Sequence, residues 1–426
     1  MLLSVCCAKR DALQRAGSRV GNSDLSNEHE ATIQVLSSID EIDAAAWDRN
    51  ANPDPKTHNP FVSHAFLKAL EDAECVRTGT GWQPQHLILS RGPDAIDGCM
   101  PLYAKSHSKG EYVFDYGWAE AYENAGGDYY PKLLSAVPFT PVPGHRLLVH
   151  DGPEQAERRG LLATGAIELV KRYNVSSFHL NFLTETEWEE MSRLGFLQRT
   201  DQQFHWRNDG YATFEDFLAQ LSSRKRKTIR KERREALSNG LRIEQLTGSD
   251  IEEHHWDAMY AFYMDTGSRK WGRPYLSREF FSLLGQTMAD CCLLIMVKNG
   301  DDYVAGAFNI IGGDCLYGRY WGAIEHHPCL HFEVCYYQAI DYAIAHQLDR
   351  VEAGAQGEHK LARGYMPTAT YSAHWIPNPS FRRAVGNYLE DERRYMERAR
   401  DQLAMYGPYR KASEVPTDVP IDSDND

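Results

Sequence analysis

Residues 291–323 read CCLLIMVKNGDDYVAGAFNIIGGDCLYGRYWGA. Three runs rich in β-branched, aromatic and other apolar residues are separated by NGDD (299–302) and GGD (312–314). Asn-Gly and Gly-Gly-Asp accept the positive backbone angles of tight hairpins, so the three runs predict an antiparallel meander. Downstream, HFEVCYYQAIDYAIAHQL (331–348) has the spacing of a buried helix, and RVEAG (350–354) opens another strand. Upstream, from Gln203, come a strand-like QFHWRN, one or two helices ending at Asn239-Gly240, the strand LRIEQL, and helices over WDAMYAFYMDTGSRK and SREFFSLLGQTMAD.

The first half has the same order. ATIQVL (31–36) is a strand, followed by a helix with Ser38 as its cap. FVSHAFLKALEDAECV is a helix with Ser63 near its start, and QHLILS and IDGCMPLYAKS are strands, the second interrupted by Pro101. A helix over GLLATGAIELVKRYNV, a strand over SSFHLNFL and a short helix over ETEWEEMSRLGFLQR complete it. The expected organisation is a mobile leader (1–30), two α/β domains (31–202 and 203–390), and a helical extension with a disordered acidic tail (391–426). Each domain carries a mixed sheet with an antiparallel meander flanked by helices.

The bulk numbers agree with two ordinary globular domains. The chain has 426 residues, 42% hydrophobic and 25% charged, with a net charge of -14 that argues against a general nucleic-acid or anionic-membrane binder. No apolar run approaches the roughly 20 residues of a membrane-crossing helix. Nine cysteines without a C-x-x-C pair read as reduced thiols in a cytoplasmic setting.

The chemistry concentrates in three stretches. RVEAGAQGEHKLARGYMP (350–367) comes off a strand with three glycines among ionisable groups. Glu352, Glu358 and His359 are candidate bases there, and Lys360 and Arg363 can hold a phosphate or carboxylate. The competing reading is a hydrogen-bonded corner with Glu352 paired to Arg363. In LYGRYWGA (316–323), Arg319 can reach an anionic substrate and Tyr317 or Tyr320 can protonate a leaving group; strand packing by alternate aromatics is the alternative. In KSHSKGEYVFDYGWAEAY (105–122), Lys105, His107, Ser108, Glu111 and Asp115 sit among aromatic residues, as in an acceptor pocket, with Lys132 and Arg146 as further anion contacts. The basic run SSRKRKTIRKERREA (222–236) places Arg224, Lys227, Arg230 and Lys231 near one helical face, suited to phosphates or simply solvated. HHPCLH (326–331) has no common zinc spacing, and no metal is expected.

A meander followed by a helix and a strand, twice over, is the element order of the GNAT acyltransferase fold. Residues 101–148 (PLYAKSHSKG through PVPGHRLL) and 351–376 (VEAGAQGEHKLARGYMPTATYSAHWI) resemble the signature blocks of the FemAB-like group of N-acyltransferases, often labelled for peptidoglycan biosynthesis or recognition. The resemblance spans about 33–390. It implies tandem GNAT-like domains and transfer of an acyl or aminoacyl group onto an amine borne by a small molecule or peptide. Many GNAT enzymes cradle the coenzyme A pyrophosphate with a glycine-bearing turn, where this chain has EHHPCLHFEV (325–334). That weakens acyl-CoA as donor and leaves aminoacyl-tRNA open. No tightly bound cofactor is expected. The mechanism expected is direct attack, with Glu352 or Glu358 as base or water-positioner. The rival is a non-catalytic module that recognises a cell-wall or peptide ligand.

Overall fold

The computed structural model describes residues 2–5, 31–92, 95–270, 274–354 and 357–410. The chain opens with strands β1 (Leu2–Val5) and β2 (Ala31–Leu36), then helices α1 (Ala44–Ala51) and α2 (His64–Asp72). Strands β3 (Trp82–Pro84), β4 (His86–Ser90), β5 (Ile96–Met100) and β6 (Tyr103–Lys105) lead to α3 (Tyr116–Asn124) and β7 (Lys132–Ser135). After these come α4 (Gln155–Tyr173), β8 (Phe178–Leu183), α5 (Glu185–Arg193) and β9 (Leu197–Arg207). The second half runs through α6 (Phe214–Gln220), α7 (Ser223–Ala236), β10 (Arg242–Thr247), α8 (Glu253–Lys270) and α9 (Arg278–Thr287) into the meander β11 (Cys292–Asn299), β12 (Asp302–Ile311) and β13 (Cys315–Ala323). A helix over 330–345 is built of α10 (Leu330–Phe332), a π-helical turn (Glu333–Tyr337) and α11 (Gln338–Ala345). Strands β14 (Arg350–Glu352) and β15 (Met366–Trp375) and the long helix α12 (Pro379–Ala404) end the described chain.

Local signals account for most boundaries. Ser63 caps α2, its hydroxyl accepting from the Phe66 amide at 3.4 Å. Ser38 caps a single 3₁₀ turn (Ile39–Glu41) rather than the helix expected after it. Glu41 reaches back to the Ser37 and Ser38 amides and closes that turn, and Asp43 then starts α1. Pro101, which has no N–H for a ladder, divides the IDGCMPLYAKS run between two sheets: β5 joins the small one and β6 the large one.

The small sheet has the order β1-β2-β4-β5, so Leu2–Val5, within the stretch expected as a leader, pairs with Ala31–Leu36. Residues 6–30 and the acidic tail from 411 lie outside the described residues. The large sheet has 11 strands in the order β10-β11-β12-β13-β14-β9-β15-β8-β7-β6-β3. It runs through both halves without a linker. The boundary expected at 202/203 falls inside β9, which pairs with β14 and β15, and β15 in turn pairs with β8 of the first half. The boundary at 390/391 likewise falls inside α12.

One face of the second-half meander shares a core with the first half: Phe61 and Phe66 pack with Phe280, Phe308 and Tyr317. The other face packs Leu316 and Val351 against Phe217 and Ile340. Each half also contains one short parallel pair. β7 and β8 align Leu133–Ser135 with Phe178–Leu180, and β13 and β14 align Cys315–Tyr317 with Arg350–Glu352. Past these rungs the strands part, and the sheet has two splits.

Candidate active site at a split in the sheet

The split between β13 and β14 opens beyond the rung Tyr317–Glu352. β13 carries a bulge at this point: Tyr320 faces Phe308 and Gly318 faces Asn309, which leaves Arg319 as the extra residue. A bulge bends its strand and re-aims a side chain. On the other lip, the chain turns at Gly354 with φ 76°, a left-handed conformation that suits glycine. The carbonyls of Ala353 and Gly354 have lost their strand partner, and the Lys360 ammonium donates to them at 2.6 and 3.0 Å from the 3₁₀ turn Glu358–Arg363. Burial pushes Lys360 down to about 8.

Glu352 is buried on the last rung. Arg350 Nε donates to its Oε1 at 3.2 Å, and its Oε2 lies 3.9 Å from His205 Nε2 with no hydrogen-bond partner among the described residues. Burial holds the His205 imidazole below its usual range, which favours the neutral ring. Gln203 links this ring (3.2 Å) to the Pro141 carbonyl (2.7 Å) of a first-half loop. That loop roofs the split. The Phe139 carbonyl accepts from Arg319 Nη2 at 3.2 Å and from the Tyr320 hydroxyl at 3.5 Å. Phe139 holds φ 58°, its amide donates to the Gly110 carbonyl at 3.2 Å, and its ring stacks on Tyr275 at 4.8 Å. A bulky residue in the left-handed region is strained and is held there by its surroundings.

The equivalent split in the first half, past Ser135 and Leu180, is plugged. The Arg146 guanidinium, fully buried, donates from Nε to the Asn181 carbonyl (3.0 Å), from Nη1 to that of His145 (2.9 Å) and from Nη2 to that of Val142 (2.5 Å). Burial lowers it to about 10. The first half also holds a buried ionic centre around Lys132, at the start of β7. The Lys132 ammonium donates to Ser108 Oγ (2.7 Å), to Glu111 Oε2 (2.8 Å) and to Asp115. Lys105 sits 3.9 Å from Glu111 and 3.6 Å from the centroid of the Trp82 ring. Burial drives Lys105 down to about 7 and Glu111 up to about 7, against their mutual attraction. Burial also opposes charge on Asp115, but Lys132 outweighs it and holds the carboxyl at about 2. The centre continues through Tyr129, which donates to Asp115 at 2.7 Å, to His179 at 3.5 Å and on to His374, whose Nδ1 lies 2.7 Å from that of His179. Burial lowers His179 to about 3 and His374 further, so both rings are neutral.

A family model named FemAB_like, described as peptidoglycan biosynthesis/recognition, matches residues 38–411. The chain belongs to the FemAB-like family. Among solved structures, the FemAB-like chain is similar to the crystal structure of FemX (14% identity, TM-score 0.50, covering 81% of this chain and 98% of that one). It is also similar to L-PGS from Bacillus licheniformis (7%, TM-score 0.48, 78% and 98%) and to a tandem GNAT protein from the clavulanic acid biosynthesis pathway (10%, TM-score 0.43, 82% and 99%). At 14% identity the likeness to FemX is one of fold alone, a mixed α/β chain with a large sheet flanked by helices. No curated protein matches the chain.

The FemAB-like signature at 350–364 is thus dispersed by the fold. Glu352 and Lys360 stay at the split. His359 turns to Tyr336, whose hydroxyl lies 2.9 Å from its Nε2. Arg363 pairs with Glu232 of α7 at 2.9 Å, not with Glu352, and lies 3.4 Å over the Phe332 ring. Glu358 opens the 3₁₀ turn, and its side chain lies outside the described residues. Lys105, Ser108, Glu111 and Asp115, expected around an acceptor, face one another and Lys132. His107 points elsewhere, 3.0 Å from the Thr80 carbonyl. On α7, Arg224, Lys227, Arg230 and Lys231 are exposed, and Arg230 pairs with Glu215, while Arg233 turns inward onto Glu333 and Asp341. The sequence reading missed His205, His179 and His374. The last two meet only through the β8–β15 register, 195 residues apart. Among the described residues no His/Cys/Asp/Glu group is arranged for a metal, and no helix is long and apolar enough to cross a membrane.

Proposed function

We infer that this chain transfers an acyl or aminoacyl group from an activated carbonyl donor to an amine at the β13–β14 split. The observation that carries this reading is Glu352 Oε2, a buried carboxylate oxygen without a hydrogen-bond partner among the described residues, set where the sheet opens. In the proposed reaction the amine nitrogen attacks the carbonyl carbon directly. Glu352 Oε2 takes the proton the amine sheds, with neutral His205 behind it. Arg319 and Lys360 stabilise negative charge on the carbonyl oxygen as it develops. The bond to the leaving sulfur or oxygen breaks, and the Tyr320 hydroxyl supplies its proton. The exposed cations of α7 hold phosphates of the donor.

The helix over 330–345 favours aminoacyl-tRNA over acyl-CoA as that donor. Its Phe332 and Glu333 amides donate to the Cys329 carbonyl, and Trp321, His331, Phe332 and Tyr336 crowd its start, so there is no glycine cradle for a pyrophosphate. Both donors are cytoplasmic species, which places the reaction there. The family description points to an acceptor of the peptidoglycan-precursor or peptide type. The two GNAT-like halves, 31–202 and 203–390, then divide the work, the second holding the donor and the first roofing the site. A second reading, recognition of a cell-wall or peptide ligand without turnover, is favoured by the Phe139 loop lying over Arg319.

The test is a transfer assay with aminoacyl-tRNA and with acyl-CoAs, against amine-bearing muropeptides, followed by mass spectrometry. Product from wild type, lost in Glu352→Gln, supports transfer. Acceptor binding without product from either donor supports recognition. Full activity in the variant removes Glu352 from the reaction.

A further inference from the structure

A pocket of about 830 Å³ lies between α3 and the first turns of α12, and none of the residues placed at the Glu352 split lines it. That volume falls within the roughly 300–1,000 Å³ of small-molecule sites. Its walls are rings: Phe114, Trp118 and Tyr122 on one side, Phe381 and Tyr388 on the other. Arg199, Tyr388 and Asn378 of its lining are already committed. Arg199 gives both ends of its guanidinium to Glu392 at 2.8 Å each, and Nη1 to the Phe114 carbonyl at 2.8 Å. The Tyr388 hydroxyl donates to the same Glu392 at 3.0 Å, and the Asn378 carboxamide caps α12. A charged ligand would face a neutralised ion pair, and a sugar with many hydroxyls would meet few polar groups, the Ser380 and Tyr122 hydroxyls and the Trp118 N–H, among five rings. An apolar chain asks for neither, and it gains by leaving water.

We propose that this pocket binds an uncharged hydrocarbon chain of an acyl or alkyl ligand. The glycines of α3 and its following turn make the room. A Cβ at Gly117 meets no atom within 4 Å, and none at Gly126. Phe114 and Tyr116, stacked at 6.2 Å and about half exposed, form an apolar ledge beside the opening. The acidic tail beyond 410, with its run of aspartates, has the wrong chemistry to fill such a site. The inner wall is Trp118, whose ring meets His374 edge-on at 4.9 Å. An occupant therefore touches the ring that packs on His374 and is separate from the proposed transfer site.

The test uses 1-dodecanol, with 1-butanol and chitobiose as controls, on the full-length protein. Binding is read by thermal shift and by quenching of tryptophan fluorescence with 11-bromoundecanol. The expected result is saturable binding of the long alcohols only, at least tenfold weaker in Gly117→Leu, whose new side chain enters the pocket. Ala384→Leu, from the opposite wall, gives the same result by an independent route if the first variant folds poorly. A quenching signal that diminishes in Trp118→Phe places the chain at this wall. Absence of saturable binding, equal binding by either filled variant, or preference for chitobiose overturns the proposal.

Discussion

The two splits in the large sheet are built alike and closed differently. In each, three rungs of parallel pairing end, and backbone carbonyls lose their partners. In each, a buried cation serves those carbonyls: Arg146 in the first half, Lys360 in the second. The guanidinium spreads its donors over two carbonyls of a proline-rich loop and one of β8, stays charged, and fills the space. The ammonium serves two carbonyls of a glycine turn, and burial brings it to about 8, within reach of deprotonation. The first split is a structural joint. The second retains an unpaired carboxylate oxygen and a bulged arginine, and that difference is what makes one of them a candidate for chemistry.

The largest expected effect falls on the joint. Arg146→Met should cost about 3–5 kcal/mol in guanidinium unfolding, because buried carbonyls lose their donors together. A loss below 1 kcal/mol would erase the distinction between the splits. At the second split the effect should appear in rate. Glu352→Gln should lower transfer by about 10²–10⁴-fold while changing stability by no more than about 1 kcal/mol. Lys360→Met should cost about 1–3 kcal/mol, since two carbonyls near a loop are released. Its pH dependence sharpens the point. The unfolded lysine keeps its proton to the usual 10.5, whereas the folded one loses it above about 8. Over that window the unfolded state binds more protons, so wild-type stability rises with pH and the gap to the variant widens. Urea titrations at pH 7, 8, 9 and 10 check it. The smallest effect on folding belongs to Arg224→Glu with Lys227→Glu on the exposed face of α7, within about 0.5 kcal/mol. If that face holds donor phosphates, the same pair of changes reduces the salt dependence of tRNA binding.

The meander was legible because its turns are chemical: Asn-Gly and Gly-Gly-Asp leave few alternatives. The Glu352–Lys360 corner was legible because glycines punctuate it. The single sheet was not. β9 reads as the start of a new domain, since period and propensity say nothing about which strands lie on either side of it. His179 and His374 were invisible for the same reason, as a sheet register spanning 195 residues has no local trace. Arg146 and Lys132 looked like anion contacts because a charged residue in a loop is usually wet. Here the fold buries both, one on carbonyls and one on carboxylates.

The placement of β15 bears on how the protein is made. β8 has β7 on one side and β15 on the other, and β15 is Met366–Trp375. While the ribosome has delivered only the first 365 residues, β8 has an unpaired edge, and His179 awaits the ring it meets in the finished molecule. The first half is thus synthesised long before it can close. A nascent chain stalled anywhere before β15 presents a bare, apolar strand edge, a natural target for a chaperone that shields such edges until the last strand arrives.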